Sequence, residues 1–206
     1  MRGESHVWSW PDCQLSFWVL HAAYPELYQA IHAEINAAPA GPLNRDVDGS
    51  FSVLSAALME SRRLSDGVKI IMGSTRIDFN YTTKAGETYY IPKNWWVLLA
   101  IRTANLDETV HLQPLEFKAD RFLGEDELQA QENMRLISQG EGPIEARGSL
   151  SGHACPGMFL ALRLIKIAVI SLVRGGYQWK LVDMKSPPPA DVISSVTDGA
   201  LLEYFR

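Results

Sequence analysis

The sequence predicts an α+β fold that is mainly helical and contains a small antiparallel sheet. Apolar residues recur at helical spacing near the start, where Leu27, Ile31 and Ile35 fall on one face. Alternation and β-branched residues take over in residues 68–77, which is typical of a strand. A glycine-rich loop then leads into a long apolar stretch, predicted as a helix over about residues 158–174. These three observations define the fold class.

The remaining elements follow in chain order. Pro25 suits the first turn of a helix, and residues 37–42, which hold two prolines and a glycine, predict its end. A second helix begins after Asp48-Gly49-Ser50 and carries Leu54 and Leu58. Strands are expected to continue to Arg102, with residues 89–91 and 95–101 flanking a Pro-Lys-Asn turn as in a small antiparallel sheet. Residues 107–111 predict an exposed turn.

Composition narrows the classes of function. The chain has 206 residues, 47% of them hydrophobic, which is enough for one domain with a sizeable core. A net charge of -5 without a basic block disfavours nucleic acid as a partner. The longest apolar runs are short or interrupted by Arg163 and Lys166, and no apolar leader follows Met1, so we expect no transmembrane segment and no signal peptide.

The most informative stretch is Ser-Gly-His-Ala-Cys-Pro-Gly over residues 151–157, which places Cys155 just before the apolar helix. Unpaired backbone N–H groups at a helix N-terminus favour the thiolate form of a cysteine. His153 adds a hydrogen-bonding or positive group, and Gly157 allows close approach of a large flat ligand. Zinc is disfavoured because His153 and Cys155 supply only two of about four ligands.

Four motifs in order resemble those of the cytochrome P450 family. They are the E-x-x-R pair of Glu60 and Arg63, an I-P-K-N-W-W-V strand entry at residues 91–97, a K-A-D-R-F segment containing Arg121, and H-x-C-x-G at residues 153–157. Asn94 replaces the family glycine in the second motif, which is a mild change because asparagine tolerates positive φ. In the last motif Gly148 and Ser151 replace the family phenylalanine and first glycine.

The resemblance implies a haem cofactor and a role for each matched residue. Cys155 would be the axial ligand of the iron, and His153 and Arg76 would be partners of the haem propionates. Gly157 would let the loop backbone approach the haem closely. Glu60, Arg63 and Arg121 would form a structural cluster in which two guanidinium groups share one carboxylate. No catalytic residue is assigned, because no acid–threonine pair of the kind that serves oxygen activation occurs in the first residues.

The resemblance also sets expectations for the whole chain. Residues 1–206 would form a single partial P450 domain, the C-terminal part of the fold, with the N-terminal half of the family fold absent and Pro187 to Arg206 resembling the closing hairpin.

The implied activity is monooxygenation of a small apolar substrate in secondary or lipid metabolism, with electrons from a reductase. The cytosol or the cytosolic face of the endoplasmic reticulum would fit. Two alternatives stay open: a non-catalytic remnant or accessory protein that needs another chain, and a haem-thiolate isomerase or dehydratase.

Overall fold

The computed structural model describes residues 24–39, 50–65, 70–125, 129–130, 136–137, 158–181 and 202–205. Helices and strands follow one another in the order helix, helix, four strands, short helix, long helix and two strands. They are α1 (Pro25–Ala37), α2 (Ser52–Leu64), β1 (Ile70–Ser74), β2 (Phe79–Thr82), β3 (Thr88–Ile91), β4 (Trp96–Ala100), α3 (Ile101–Asn105), α4 (Met158–Arg174), β5 (Gln178–Leu181) and β6 (Leu202–Phe205). A 3₁₀ turn, Ala119–Phe122, lies between α3 and α4.

The three longer helices form where the sequence predicts them. Helix α1 begins at Pro25, whose fixed φ suits the first helical position, and buries Ile31 and Ile35. Helix α2 carries the predicted Leu54 and Leu58, both buried, and from Ala56 onward it is buried on every side. Helix α4 occupies the predicted residues 158–174. The predicted helical spacing over residues 15–22 lies outside the described residues.

Helix α2 is the centre of the described structure because it packs into two apolar clusters. The larger cluster joins α1, α2, α4 and β5 through side chains such as Ile31, Leu54, Ile170 and Trp179. A smaller cluster lies on another side of α2, where Met59 contacts the 3₁₀ turn and residues further along the chain: Ala56, Met59, Phe122, Ala130 and Leu136. Burial of so much apolar surface on one helix fixes its position more firmly than helix propensity could.

The strands pair differently from the expected single sheet. Within the described residues they form three two-stranded antiparallel sheets, β1–β4, β2–β3 and β5–β6. Residues 89–91 therefore pair with β2, while β4 pairs with β1, so the strands flanking the Pro92 turn are not each other's partners. The prediction that strands continue to Arg102 is also wrong, because Ile101 is fully buried and begins α3.

A polar clamp joins the two sheets at the Pro92 turn. The Thr75 hydroxyl donates to the Pro92 carbonyl at 2.6 Å and accepts a bond from the Trp95 N–H at 3.0 Å. Asn94, at φ 65°, has the left-handed conformation that the sequence comparison with glycine anticipated. The clamp fixes the end of β1 against the start of β4. No helix in the described part of the chain is long and apolar enough to cross a membrane.

Candidate functional site

A buried ion pair lies on α2. Arg63 Nε donates to Glu60 Oε2 at 2.7 Å, and Arg63 Nη2 donates to Glu60 Oε1 at 2.8 Å. Both side chains are fully buried, at 0% exposure. Two parallel N–H···O bonds hold the carboxylate and the guanidinium group in one plane, which is the geometry in which arginine differs most from lysine.

Arg121 brings a second guanidinium group to the same carboxylate. Its Nε donates to Glu60 Oε1 at 3.1 Å, and the backbone N–H of Lys118 donates to that oxygen at 2.9 Å. The structure therefore brings Arg121 to the pair formed by Glu60 and Arg63, although 61 residues separate Arg121 from Glu60 in the sequence. One carboxylate faces two permanent positive charges and accepts four hydrogen bonds, three at Oε1 and one at Oε2.

The rest of the Arg63 side chain joins α2 to the C-terminal end of α3 and to the segment that follows it. Nη1 donates to the carbonyl oxygens of Asn105 at 2.9 Å and Pro114 at 2.7 Å, and Nη2 reaches the Glu116 carbonyl at 3.4 Å. With the two bonds to Glu60, all five N–H donors of the guanidinium group have an acceptor. A buried arginine needs this complete set, because an unpaired buried donor costs on the order of 1–3 kcal/mol.

An aromatic pair covers the cluster from the side of α1. The Tyr24 ring stacks on Phe117 with the ring centroids 5.0 Å apart. Burial raises the pKa of the Tyr24 hydroxyl, and the negative charges of Glu116 and Glu60 raise the pKa further. Tyr24 therefore remains a neutral side chain beside the cluster.

The predicted cofactor-binding residues are divided between described and undescribed parts of the chain. Arg76 lies in an exposed bend two residues after the end of β1, next to the Thr75 clamp. Cys155, His153 and Gly157 lie outside the described residues, and helix α4 begins immediately after them at Met158. Glu60 and Arg63 lie on α2, which shares the larger apolar core with α4, and the predicted ligand residues precede α4 in the sequence.

Two polar residues that sequence reasoning missed also hold the site in place. The Glu34 carboxylate on α1 accepts bonds from the N–H groups of Val53 at 2.9 Å and Leu54 at 3.1 Å, so it caps α2. The Asn105 side chain exchanges two hydrogen bonds with the backbone of Ile137, at 2.7 and 2.9 Å. Their partners are backbone groups 19 to 32 residues away, which no local motif reveals.

The predicted exposed turn at residues 107–111 is only partly correct. Asp107 is exposed and accepts bonds from the N–H and hydroxyl of Thr109, at 2.8 and 2.6 Å. These bonds lower the pKa of the Asp107 carboxyl. His111, however, is buried, with its ring centroid 6.2 Å from that of Phe122. It lies inward because the turn folds back onto the 3₁₀ segment that carries Arg121.

Among the described residues no group of three or more histidine, cysteine, aspartate or glutamate side chains could hold a metal ion. The donor set of residues 153–157 is a single thiolate-forming cysteine with one histidine two residues before it. That set would fit a haem, which a single protein sulfur can hold. It does not fit a closed zinc site.

Comparison with known proteins identifies the class. A family model described as Cytochrome P450 matches residues 16–200. Because this match includes most of the chain, the protein belongs to the cytochrome P450 family. Members of this family bind haem through a cysteine thiolate, so its cofactor is haem.

Individual relatives are distant and much longer. The chain is 32% identical to geraniol 8-hydroxylase from Swertia mussotii over 105 residues, which is 50% of this chain and 19% of that protein. It is 28% identical to obtusifoliol 14-alpha demethylase from Sorghum bicolor over 169 residues, 80% of this chain and 32% of that protein. A mitochondrial hydroperoxide bicyclase from Plasmodiophora brassicae is 28% identical over 130 residues, 62% and 24% respectively. The chain thus matches a third or less of these relatives.

Proposed function

We propose that this chain forms the thiolate side of a haem site in a P450-type monooxygenase. Cys155 binds the iron, Gly157 lets the backbone approach the haem, and His153 and Arg76 bind its propionates. The observation that supports the proposal most strongly is the Glu60–Arg63–Arg121 cluster, because it satisfies all five Arg63 donors and holds α2 at a defined position beside the core that α4 also enters.

The role of that cluster is structural. Glu60 and Arg63 are fully buried, and each of their polar contacts is with the protein itself. They therefore offer no group for proton transfer to a substrate. What they supply is a rigid support for α2, which shares the larger apolar core with α4.

The haem, when bound, would supply the oxidative chemistry, and Cys155 would hold it through a thiolate sulfur. The chain's own part is to keep the Cys155 sulfur anionic and oriented. The N-terminus of α4, which begins three residues after Cys155, favours a negative charge there. Arg76, in the exposed bend after β1, is available to a haem carboxylate.

The substrate class we propose is a small apolar molecule oxidised at carbon, with electrons from a reductase. Two relatives are named for hydroxylation of geraniol and demethylation of obtusifoliol. The described segment that could contact such a molecule is β1, whose side chains are uncharged and mostly exposed. An apolar lining suits a ligand with little hydrogen-bonding capacity.

A direct test is the carbon monoxide difference spectrum of the reduced, haem-supplied chain. The expected result is a red-shifted Soret band in the wild-type chain and in the control Cys13→Ala, which removes the chain's other cysteine. Cys155→Ala should lose the band while keeping its far-UV circular dichroism. A band that survives Cys155→Ala, or folded wild-type chain that takes up no haem, would contradict the proposal.

A second candidate is an isomerase or dehydratase that uses an oxygenated substrate and needs no reductase. The specific observation in its favour is the similarity to the hydroperoxide bicyclase. The two candidates differ in their need for external electrons. Consumption of a fatty acid hydroperoxide by the haem-loaded chain, without reductant and dependent on Cys155, would favour the second candidate. Turnover that requires NADPH and a reductase would favour the first.

A further inference from the structure

The bend between β1 and β2, residues 75–78, carries Arg76. This arginine is exposed, and no hydrogen bond or ion pair joins its side chain to another described residue. Its guanidinium group therefore keeps its N–H donors available to an anion. How tightly such a side chain can bind depends on whether the backbone beneath it is already fixed, because fixing it costs conformational entropy.

Thr75 fixes the first end of the bend. Its backbone N–H donates to the Trp95 carbonyl at 2.9 Å, and its own carbonyl accepts a bond from the Asn94 N–H at 2.9 Å. The Thr75 hydroxyl adds the two bonds of the clamp described above, one to the Pro92 carbonyl and one from the Trp95 N–H. Thr75 is only 8% exposed, so water competes little for these bonds. Every polar group of Thr75 is thus bound to the Pro92 turn.

Asp78 fixes the other end of the bend. Its Oδ1 accepts a hydrogen bond from the Lys93 N–H at 2.7 Å, in the same turn that Thr75 binds. A carboxylate two residues away from an arginine is also a candidate counter-ion, but no ion pair joins Asp78 to Arg76. The Asp78 carboxylate therefore anchors the backbone and leaves the Arg76 side chain to other ligands.

We propose that Thr75 and Asp78 are positioning residues for Arg76, which hold the bend so that the Arg76 guanidinium group faces a carboxylate of the haem. The inference rests on the proposed function, which assigns the propionate role to Arg76. Only Arg76 and Ile77 lie between the two anchored residues, so the backbone has few conformations to lose when a ligand binds. Thr75 and Asp78 contact no ligand themselves and act through Arg76.

The chemistry of the two anchors supplies matched variants. The Thr75 hydroxyl donates one hydrogen bond and accepts another, so Thr75→Ser keeps both functions and Thr75→Val keeps neither. Asp78 is used as an acceptor, so Asp78→Ala removes the anchor. Asp78→Asn keeps a side-chain oxygen that can accept the Lys93 N–H. Each anchor therefore has one variant that should lose the function and one that should preserve it.

Titration of the haem-free chain with haem, followed by the Soret absorbance, measures the affinity. Arg76→Ala should weaken haem binding about tenfold or more, because it removes hydrogen bonds between charged groups. Thr75→Val should weaken it about threefold to tenfold, the size expected when a side chain must be ordered on binding. Thr75→Ser should stay within about twofold of the wild type. The control Thr82→Val removes an exposed hydroxyl that bonds to Thr88 and should also stay within about twofold.

A double-mutant cycle separates positioning from general stability. If Thr75 acts through Arg76, Thr75→Val in the Arg76→Ala background should change the haem affinity by less than about twofold. A merely structural role would lower the affinity by the same factor in both backgrounds. The same cycle with Asp78→Ala in place of Thr75→Val tests the second anchor, and it decides the question if Thr75→Val does not fold.

A measurement without haem tests the anchors themselves. In the haem-free chain the amides of Asn94 and Trp95 should exchange with deuterium faster in Thr75→Val than in the wild type, because both donate to Thr75. Thr75→Ser should restore the slow exchange, and Arg76→Ala should leave it unchanged. Circular dichroism of each variant checks that it folds as the wild type does.

Several outcomes would overturn the proposal. They are equal losses of haem affinity in the two backgrounds, wild-type affinity in a folded Thr75→Val chain with fast exchange at the turn, and a Thr75→Ser chain that binds haem as weakly as Thr75→Val. Wild-type affinity in Arg76→Ala would overturn it too, while a Soret band that depends on Cys155 would leave the thiolate part of the proposed function standing. A wild-type chain that takes up no haem would refute the proposed function and this inference together.

Discussion

Helix α2 and the β1–β4 sheet differ in how completely the described residues bury their side chains. Every residue of α2 from Ala56 to Leu64 is buried, and its charged groups find partners within the chain. On β1 and β4, four large apolar side chains remain more than half exposed. The described residues thus bury most of α2, whereas they leave apolar side chains of the β1–β4 sheet exposed.

This difference explains how a chain that matches a third or less of its relatives can still have a defined site. The hydrogen bonds described for Glu60 and Arg63 all join groups within residues 60–121. Within the described residues, β1 and β4 pair only with each other. Stability should therefore be uneven across the molecule, high around α2 and low in β1 and β4.

The largest effect is expected for Arg63→Ala. It leaves the Glu60 carboxylate buried with one guanidinium partner fewer, and it removes the hydrogen bonds that Arg63 donates to the carbonyl oxygens of Asn105 and Pro114. Breaking a buried pair by removing one partner costs roughly 3–5 kcal/mol, so we expect a loss of that order in the free energy of unfolding. Urea denaturation measures it. Arg76→Ala, at an exposed arginine, is the control and should stay within about 0.5 kcal/mol.

A pair of leucine substitutions compares the two regions directly. Leu54→Ala removes a fully buried side chain of the larger core and should cost about 2–5 kcal/mol. Leu98→Ala removes a side chain that is 61% exposed and should cost less than about 1 kcal/mol in the isolated chain. Equal losses in thermal or urea unfolding would show that the side chain of Leu98 is packed in solution.

Glu34→Gln should have a moderate effect. The substitution keeps the shape of the side chain but removes the negative charge that faces two N–H groups at the start of α2. Helix-capping changes cost about 1 kcal/mol, and the loss should shrink in high salt because part of it is electrostatic. Glu108→Gln, in an exposed turn, is the matched control. An effect of Glu108→Gln as large as that of Glu34→Gln would contradict the capping role.

The smallest effect is a pH dependence from His32. Its ring centroid lies 4.1 Å from that of Tyr28, on which it stacks, and 5.4 Å from that of Trp179. Burial lowers the pKa of His32. Because the pKa of His32 is lower in the folded state, the contribution of His32 to the free energy of unfolding is fully present above the ordinary histidine pKa of about 6.5. That contribution is lost as the pH falls through the pKa of the folded state. Unfolding midpoints should therefore fall with pH below about 6.5. His32→Gln should flatten that slope, and an unchanged slope would refute the assignment.

Sequence reasoning works where the determinant is local. The spacing of apolar residues predicts α1, α2 and α4, and the glycine position of the family motif predicts the positive φ of Asn94. The pairing of Glu60 with Arg63 is likewise visible at i, i+3 spacing. Arg121 requires the family comparison, since 61 residues separate it from Glu60.

Sequence reasoning fails where a side chain binds backbone far along the chain or where strands choose partners. Glu34 and Asn105 bind backbone groups, which every residue type has. The partner residues therefore carry no mark in the sequence. The strands on either side of Pro92 looked like a hairpin, but a turn at that point instead passes the chain from one sheet to another. Burial of His111 depends on how its turn folds back, which spacing does not encode.

Hydrogen–deuterium exchange on the isolated chain tests the central contrast most directly. Amides of Ser52–Leu64 should exchange slowly, close to the rate set by global unfolding, and amides of Ile70–Ser74 and Trp96–Ala100 should exchange much faster. Equal protection of the helix and the two strands at a concentration where the chain is monomeric would contradict the account, because the sheet would then be as complete as the helical core.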